Sequence, residues 1–260
     1  MSSDGARARP AAEPTSFVIE LLYRDPFIAV IAKPSGLVVH RSAEARDPRT
    51  CLSLLRNKLD RWVYPVHRLD RGASGVLVFA LDPAMARALT AAFTERRVKK
   101  TYLAVVRGVL PEAGRIDAPL LEEPGKDAAE AITNFRRLAH VELPHAVGRY
   151  PTARYSLAEV EPETGRMHQI RRHMAHIRHP LIGDVNHGEG RHNRLFRDLF
   201  GVHRLLLHAE SLAFSHPATG ALLQFRAPLP DELARLFDRL QFTSSLNHLR
   251  EPPPPGSAPS

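Results

Sequence analysis

A chain of 260 residues is long enough for a sizeable core, and 43% hydrophobic against 25% charged residues is an ordinary globular balance, not that of a fibrous or disordered chain. One cysteine, Cys51, excludes an intramolecular disulfide and any cysteine-based zinc cluster, and no apolar run reaches the length of a membrane span. A formal charge of +8, before 14 histidines are counted, favours a polyanionic partner, nucleic acid first.

Residues 1–16 are small, polar and proline-containing, with no apolar centre, and read as a disordered tail and not as a secretory signal, which points to the cytoplasm. Strands are predicted over 18–23 and 28–32 around the turn Arg24-Asp25-Pro26, and Lys33-Pro34-Ser35-Gly36 forms the next loop. A helix over 49–59 takes Cys51 as a small buried hydrophobe. His67-Arg68-Leu69-Asp70-Arg71-Gly72-Ala73-Ser74-Gly75 then feeds the uninterrupted apolar strand 76–81. One carboxylate, Asp70, therefore stands between two arginines at the edge of a rigid sheet, where positive charge favours its ionised form. Asp82-Pro83 supplies an N-cap and a first-turn proline, and Met85, Leu89 and Phe93 recur every four residues, predicting a helix over 83–96.

Residues 100–107 form a strand of β-formers closed by Gly108; Tyr102 within it is either a core aromatic or a stacking platform for an unstacked base. Residues 109–151, with scattered Pro and Gly, read as an irregular, subdomain-sized excursion. A half-buried strand follows over 154–161, a helix over 167–177, a hairpin of 205–214 and 221–226 around Pro217-Ala218-Thr219-Gly220, and a closing helix over 230–240. Residues 246–260, with prolines from Pro252 to Pro255, read as a second disordered tail, leaving a single domain over 17–245. Strands and helices without regular βαβ alternation predict an α+β fold: a mixed, mainly antiparallel central sheet flanked by helices.

Four histidines and four arginines crowd into 166–179. His173 and His176 share a helix face, but the cluster holds no carboxylate or cysteine and its arginines oppose a cation, so no metal is expected. The stretch reads as an anion-binding helix start, capped by Thr164, with fixed positive charge from Arg166, Arg171 and Arg172. Phosphate-loop, dinucleotide and nucleophile-elbow motifs are absent.

Together these pieces resemble one family. His67-Arg68-Leu69-Asp70 with Ser74-Gly75 is similar to the signature of the RluA-type pseudouridine synthases. Lys33-Pro34-Ser35-Gly36, Lys100-Thr101-Tyr102-Leu103-Ala104 with Val106 and Gly108, and Gly165-Arg166-Met167-His168-Gln169-Ile170-Arg171 resemble further motifs in the family's order, as do Gly183-Asp184 with Gly188 and Leu207-His208-Ala209. The resemblance runs over about 18–240. Gly148-Arg149-Tyr150-Pro151-Thr152-Ala153-Arg154-Tyr155, with Arg171-Arg172-His173 and 176–180, is most similar to the branch that modifies uridine 65 of tRNA. Ala73 departs from the threonine usual before Ser74-Gly75, and His187 stands where many relatives carry tyrosine, a feature that resembles the tRNA-specific branch.

The resemblance implies isomerisation of uridine to pseudouridine in RNA, by a catalytic aspartate and base flipping, without cofactor or metal. It implies tRNA as substrate, with the same chemistry on a ribosomal RNA uridine or on several RNA sites as the alternative. It further implies a cytoplasmic monomer with no membrane association and no obligatory protein partner. Asp70 would be the catalytic carboxylate, as nucleophile or as base at the sugar, with Arg171 as its ion-pair partner. Tyr102 would stack on the uracil and assist proton transfer from C5. Arg68 would enter the gap left by the extruded nucleotide. Leu207 would pack beside the base, and Lys99, Lys100, Arg166, Arg172 and Arg178 would hold phosphates. His67, His168 and Gln169 complete the expected substrate-binding set.

Overall fold

The computed structural model describes residues 17–41, 49–122 and 125–246; the expected tails, apart from Leu246, lie outside the described residues. β4 (Ser74–Ala80) is buried at every residue, the pattern of a strand covered on both faces, and it lies within a ten-stranded sheet. The other strands are β1 (Glu20–Arg24), β2 (Ile28–Lys33), β3 (Tyr64–Pro65), β5 (Lys99–Arg107), β6 (Ala113–Asp117), β7 (Ile132–Leu143), β8 (Ala153–Pro162), β9 (Leu207–Ser215) and β10 (Leu222–Arg226). Their order is β1-β2-β4-β9-β5-β8-β7-β6, with β3 paired to β4 and β10 to β9. Among the described residues only β4 and β9 run parallel. The α+β class with a mixed, mainly antiparallel sheet is the one observed.

Helices cover both faces of each half of the sheet, because successive strand residues point to opposite sides. α1 (Cys51–Leu59) starts at a capping box of Thr50 and Ser53 and packs Cys51 and Leu55 against Ile31, Leu77 and Phe79. α2 (Pro83–Thr94) starts where the Asp82 carboxylate accepts the Met85 N–H at 2.9 Å, and its Met85 and Leu89 meet Val30 and Val78 on the opposite face. Around β5 the division repeats. Leu103 and Val105 meet α4 (Gly190–Phe200) and α5 (Asp231–Arg239), whereas Ala104 and Val106 meet Ile170 and Met174 of α3 (Gln169–His176). Among the described residues no helix is long and apolar enough to cross a membrane.

Three expectations need correction. The stretch 109–151 is not an irregular excursion: it carries β6 and the twelve-residue β7, which pairs with β8 along its length. Only Ile132, Thr133 and Phe135 of β7 are buried, and Leu138 forms a bulge, so the period-2 signal is broken although the pairing is long. α4 was not anticipated, since Asn193 and Phe196 are its only buried residues. Leu246, read as the first residue of the tail, is instead buried in the core beside Leu240 and Phe242.

Candidate active site

The loop before β4 is held from below by the loop after β2. Lys33 is buried, and the three N–H bonds of its ammonium meet three carbonyls: Pro34 at 2.9 Å, Arg71 at 3.2 Å and Ala73 at 2.7 Å. Burial pushes this ammonium down to about 8. Ser35 Oγ donates to the Gly72 carbonyl at 2.7 Å, and the Gly36 N–H donates to the Arg71 carbonyl at 2.8 Å. Gly75 has φ +119°, and a Cβ there would lie 2.1 Å from the Ala209 carbonyl oxygen, so only glycine lets β4 approach β9. These contacts give Lys33-Pro34-Ser35-Gly36 and Ser74-Gly75 a common purpose: they fix the turn that carries Asp70.

Asp70 faces Arg171 from the first turn of α3. Arg171 Nη1 donates to Asp70 Oδ2 at 3.1 Å, while its Nε and Nη2 donate to Asp184 at 2.7 and 2.8 Å. Asp184, fully buried as a side chain, also accepts the backbone N–H groups of Asn186 and His187. Burial alone would raise the Asp184 carboxyl, but Arg171 and these two N–H groups hold it below the usual carboxylate range. Arg171 is thus anchored by two bonds on one side and offers a single bond on the other. Asp70 Oδ1 carries no hydrogen bond among the described residues, and Asp70 lines a cleft of about 480 Å³.

Tyr102, Leu207, Leu69, Ile170 and Phe93 supply the apolar part of that cleft. Tyr102 follows the point where Glu210 bulges from β9, which shifts the β5 register between Thr101 and Tyr102. Burial, and then the Asp70 charge, raise the Tyr102 phenol well above its ordinary value, so it holds its proton. His67 stacks on Phe93 at 4.4 Å and accepts the Val78 N–H on Nε2 at 3.1 Å. Burial drives its imidazole down to about 3, so His67 is a neutral wall of the cleft. Arg68 is exposed on the cleft lining with no partner among the described residues.

The opposite wall is the segment before α3. His168 caps α3 in the left-handed conformation, φ 54°, and its Nδ1 lies 3.1 Å from Nε2 of His187. The helix start differs from expectation. Thr164 does not cap it: its hydroxyl accepts the Ile132 N–H at 3.0 Å and donates to Gln169 Oε1 at 2.7 Å. Gln169, expected to bind substrate, uses its amide to close this loop, donating to the Ile132 carbonyl and Thr133 hydroxyl and accepting from the Arg166 N–H. Nor do its cleft-side arginines stand free. Arg171 is buried in its ion pairs, and Arg166 Nη1 lies 3.4 Å from Glu122. Lys100 lines the cleft and donates to the Thr164 carbonyl at 3.0 Å; burial, with Arg96 nearby, lowers it to about 8. Lys99 pairs with Glu161 at 3.1 Å. Arg172 does not line the cleft.

The metal pair dissolves in the fold: His173 is buried between the Thr133 hydroxyl and the Ala118 carbonyl, whereas His176 is exposed. Among the described residues no group of three or more His, Cys, Asp or Glu is placed to hold a metal. Two working residues lacked an assigned role in the sequence reading, Lys33 and Asp184. Both stood inside quoted motifs, Lys33-Pro34-Ser35-Gly36 and Gly183-Asp184, but a carboxylate and a lysine acting through long-range pairs have no local signature.

Comparison with known proteins agrees with this geometry. Residues 28–176 match the family described as RNA pseudouridylate synthase. A protein of Vibrio parahaemolyticus named tRNA pseudouridine synthase C is 44% identical over 239 residues, 88% of this chain and 97% of that protein. Its namesake from Vibrio cholerae is 44% identical over 240 residues, 88% of this chain and 98% of that one. Among solved structures, human RNA Pseudouridylate Synthase Domain Containing 1 superposes with a TM-score of 0.67 at 25% identity, covering 94% of this chain and 99% of that one. The chain belongs to the RNA pseudouridylate synthase family, in its RluA-type branch.

Proposed function

We propose that this protein isomerises uridine to pseudouridine in tRNA, at uridine 65, acting in the cytoplasm as a monomer with Asp70 as its catalytic carboxylate. The observation that carries the reading is one carboxylate with an unbonded oxygen, aimed into a cleft by an arginine that a second, buried carboxylate anchors. The relatives named tRNA pseudouridine synthase C, matched over nearly their whole length, support tRNA as the substrate.

In the reaction the N1–C1′ bond breaks, the uracil turns, and C5 bonds to C1′. The proton on C5 leaves and N1 gains one, so atoms and oxidation state balance. Asp70 acts at the sugar as nucleophile or as base. A base stacked in a helix is out of reach, so the nucleotide is extruded, and Arg68, exposed and unpaired at the rim, fills its place. Tyr102 and Leu207 pack against the uracil; because Tyr102 keeps its proton, its ring and hydroxyl, not a phenolate, face the base. Lys100 and Arg166 bring positive charge to the cleft walls for the flanking phosphates.

The test is pseudouridine mapping in total tRNA from a deletion strain rescued with the wild-type protein or with Asp70→Asn. Loss of one T-stem site, restored by wild type alone, is the expected result. Unchanged tRNA with a missing ribosomal pseudouridine would overturn the substrate, and rescue by Asp70→Asn would overturn the catalytic residue.

A further inference from the structure

A second groove, larger than the cleft at about 770 Å³, lies at the other end of β5. From Tyr102 to Arg107 the strand advances five residues, about 17 Å. The groove is formed where the turn joining β7 to β8 meets the start of α4, and no step of the reaction uses it. Four guanidiniums line it, those of Arg107, Arg149, Arg154 and Arg191, against one carboxylate, Glu189, which pairs with Arg107. Arg149, Arg154 and Arg191 are exposed and make no ion pair among the described residues. Tyr150 stands among them 56% exposed, with the Arg149 guanidinium 5.1 Å from its ring centroid and donating to its hydroxyl at 2.9 Å. Guanidiniums without a carboxylate partner beside an exposed aromatic suit phosphates with an unstacked base.

The route between the two sites is also basic. The first turn of α3 meets the cleft at Arg171, and residues just beyond its end bond to the backbone of Arg107 in the groove: the Arg107 N–H donates to the Pro180 carbonyl, and His179 Nδ1 lies 2.8 Å from the Arg107 carbonyl. Eight helical residues cover about 12 Å. Arg172 and His176, four apart and on one face, leave α3 accessible to a polyanion, and the exposed Arg178 follows. Arg172 and Arg178 have no partner among the described residues.

We propose that this groove is a second binding site for the RNA substrate, taking phosphates of a strand that leaves the cleft along α3 and one unstacked base on Tyr150. The proposal rests on RNA being the substrate and assigns a purpose to the segment from Gly148 to Arg154, which the catalytic site leaves unused.

Affinity for tRNA is measured against salt concentration for the wild type, Arg149→Gln combined with Arg191→Gln, Tyr150→Ala and Tyr150→Phe. All three substituted side chains are exposed, and equal thermal midpoints establish that the variants fold. The double variant is expected to bind at least tenfold more weakly, with the slope of log K against log salt reduced by about two, one per lost phosphate contact. Tyr150→Ala is expected to lose about tenfold without a change of slope, and Tyr150→Phe to recover it, because stacking needs the ring alone. Wild-type affinity and slope in the double variant would overturn the proposal. Should the wild type modify another RNA and not tRNA, the tRNA reading falls, and the same slopes measured on that RNA decide the groove.

Discussion

Two sets of carboxylate–arginine pairs in this molecule bring the same charges together at very different burial. On the sheet edge, Arg115 of the edge strand β6 pairs with Glu163, and, beside it, Arg96 pairs with Glu130. The arginine side chains there are 49% and 42% exposed. Arg171 in the cleft is 9% exposed, and its partners Asp70 and Asp184 are 18% and 0% exposed. Exposed pairs contribute little, since water and salt serve either ion nearly as well. A buried pair whose partner is removed leaves an uncompensated charge, at a cost of about 3–5 kcal/mol. Charge on the edge therefore tolerates change, whereas charge in the cleft fixes geometry.

The largest effect that would test this contrast comes from Asp184→Asn. It leaves Asp70 and the cleft lining in place but removes the charge that anchors Arg171, so we expect turnover to fall about a hundredfold, as for a misplaced catalytic group. Denaturant unfolding should show a loss of about 3 kcal/mol. Near-wild-type turnover would mean that Asp70 is oriented without Arg171. Lys33→Met leaves the carbonyls of Pro34 and Ala73 without this donor, while the Arg71 carbonyl keeps the Gly36 N–H, and should lower unfolding free energy by about 2 kcal/mol.

Buried histidines give the contrast a pH dependence. His67 and His208 are pushed by burial to about 3 and about 4 in the fold, against about 6.5 in an unfolded chain. Between pH 6.5 and 4 the unfolded chain therefore binds more protons, so stability rises with pH across that window and is lost as pH falls through it. Thermal midpoints recorded from pH 7 to pH 4.5 should decline; a flat profile would contradict their neutral burial. The smallest effect is expected at the edge: Arg115→Gln should change unfolding free energy by less than about 1 kcal/mol, and a larger loss would break the comparison.

Much of the site was legible because its motifs are local. Asp70 between arginines, Tyr102 in a strand and the basic segment around Arg171 are sequence facts, and the fold brings all three to one cleft. The α2 start at Asp82-Pro83 and the β9–β10 hairpin were legible for the same reason: a cap and a turn are set by neighbouring residues. β7 was hidden because its pairing with β8, not its own alternation, makes it a strand. Thr164 looked like a helix cap because capping residues also bond elsewhere; packing gave it Ile132 and Gln169 instead.

The sequence by itself determined the α+β class, the polyanion-seeking charge and the residues from which the site is made. The family resemblance named Arg171 as the partner of Asp70, but the tertiary structure alone gives the reason that it, and not its neighbour Arg172, is buried there. The tertiary structure also decided that Asp184 anchors that arginine, and that Lys33 holds the turn beneath it. Adjacent helical residues point about 100° apart, and only the packing of α3 against the sheet determines which of them loses its water.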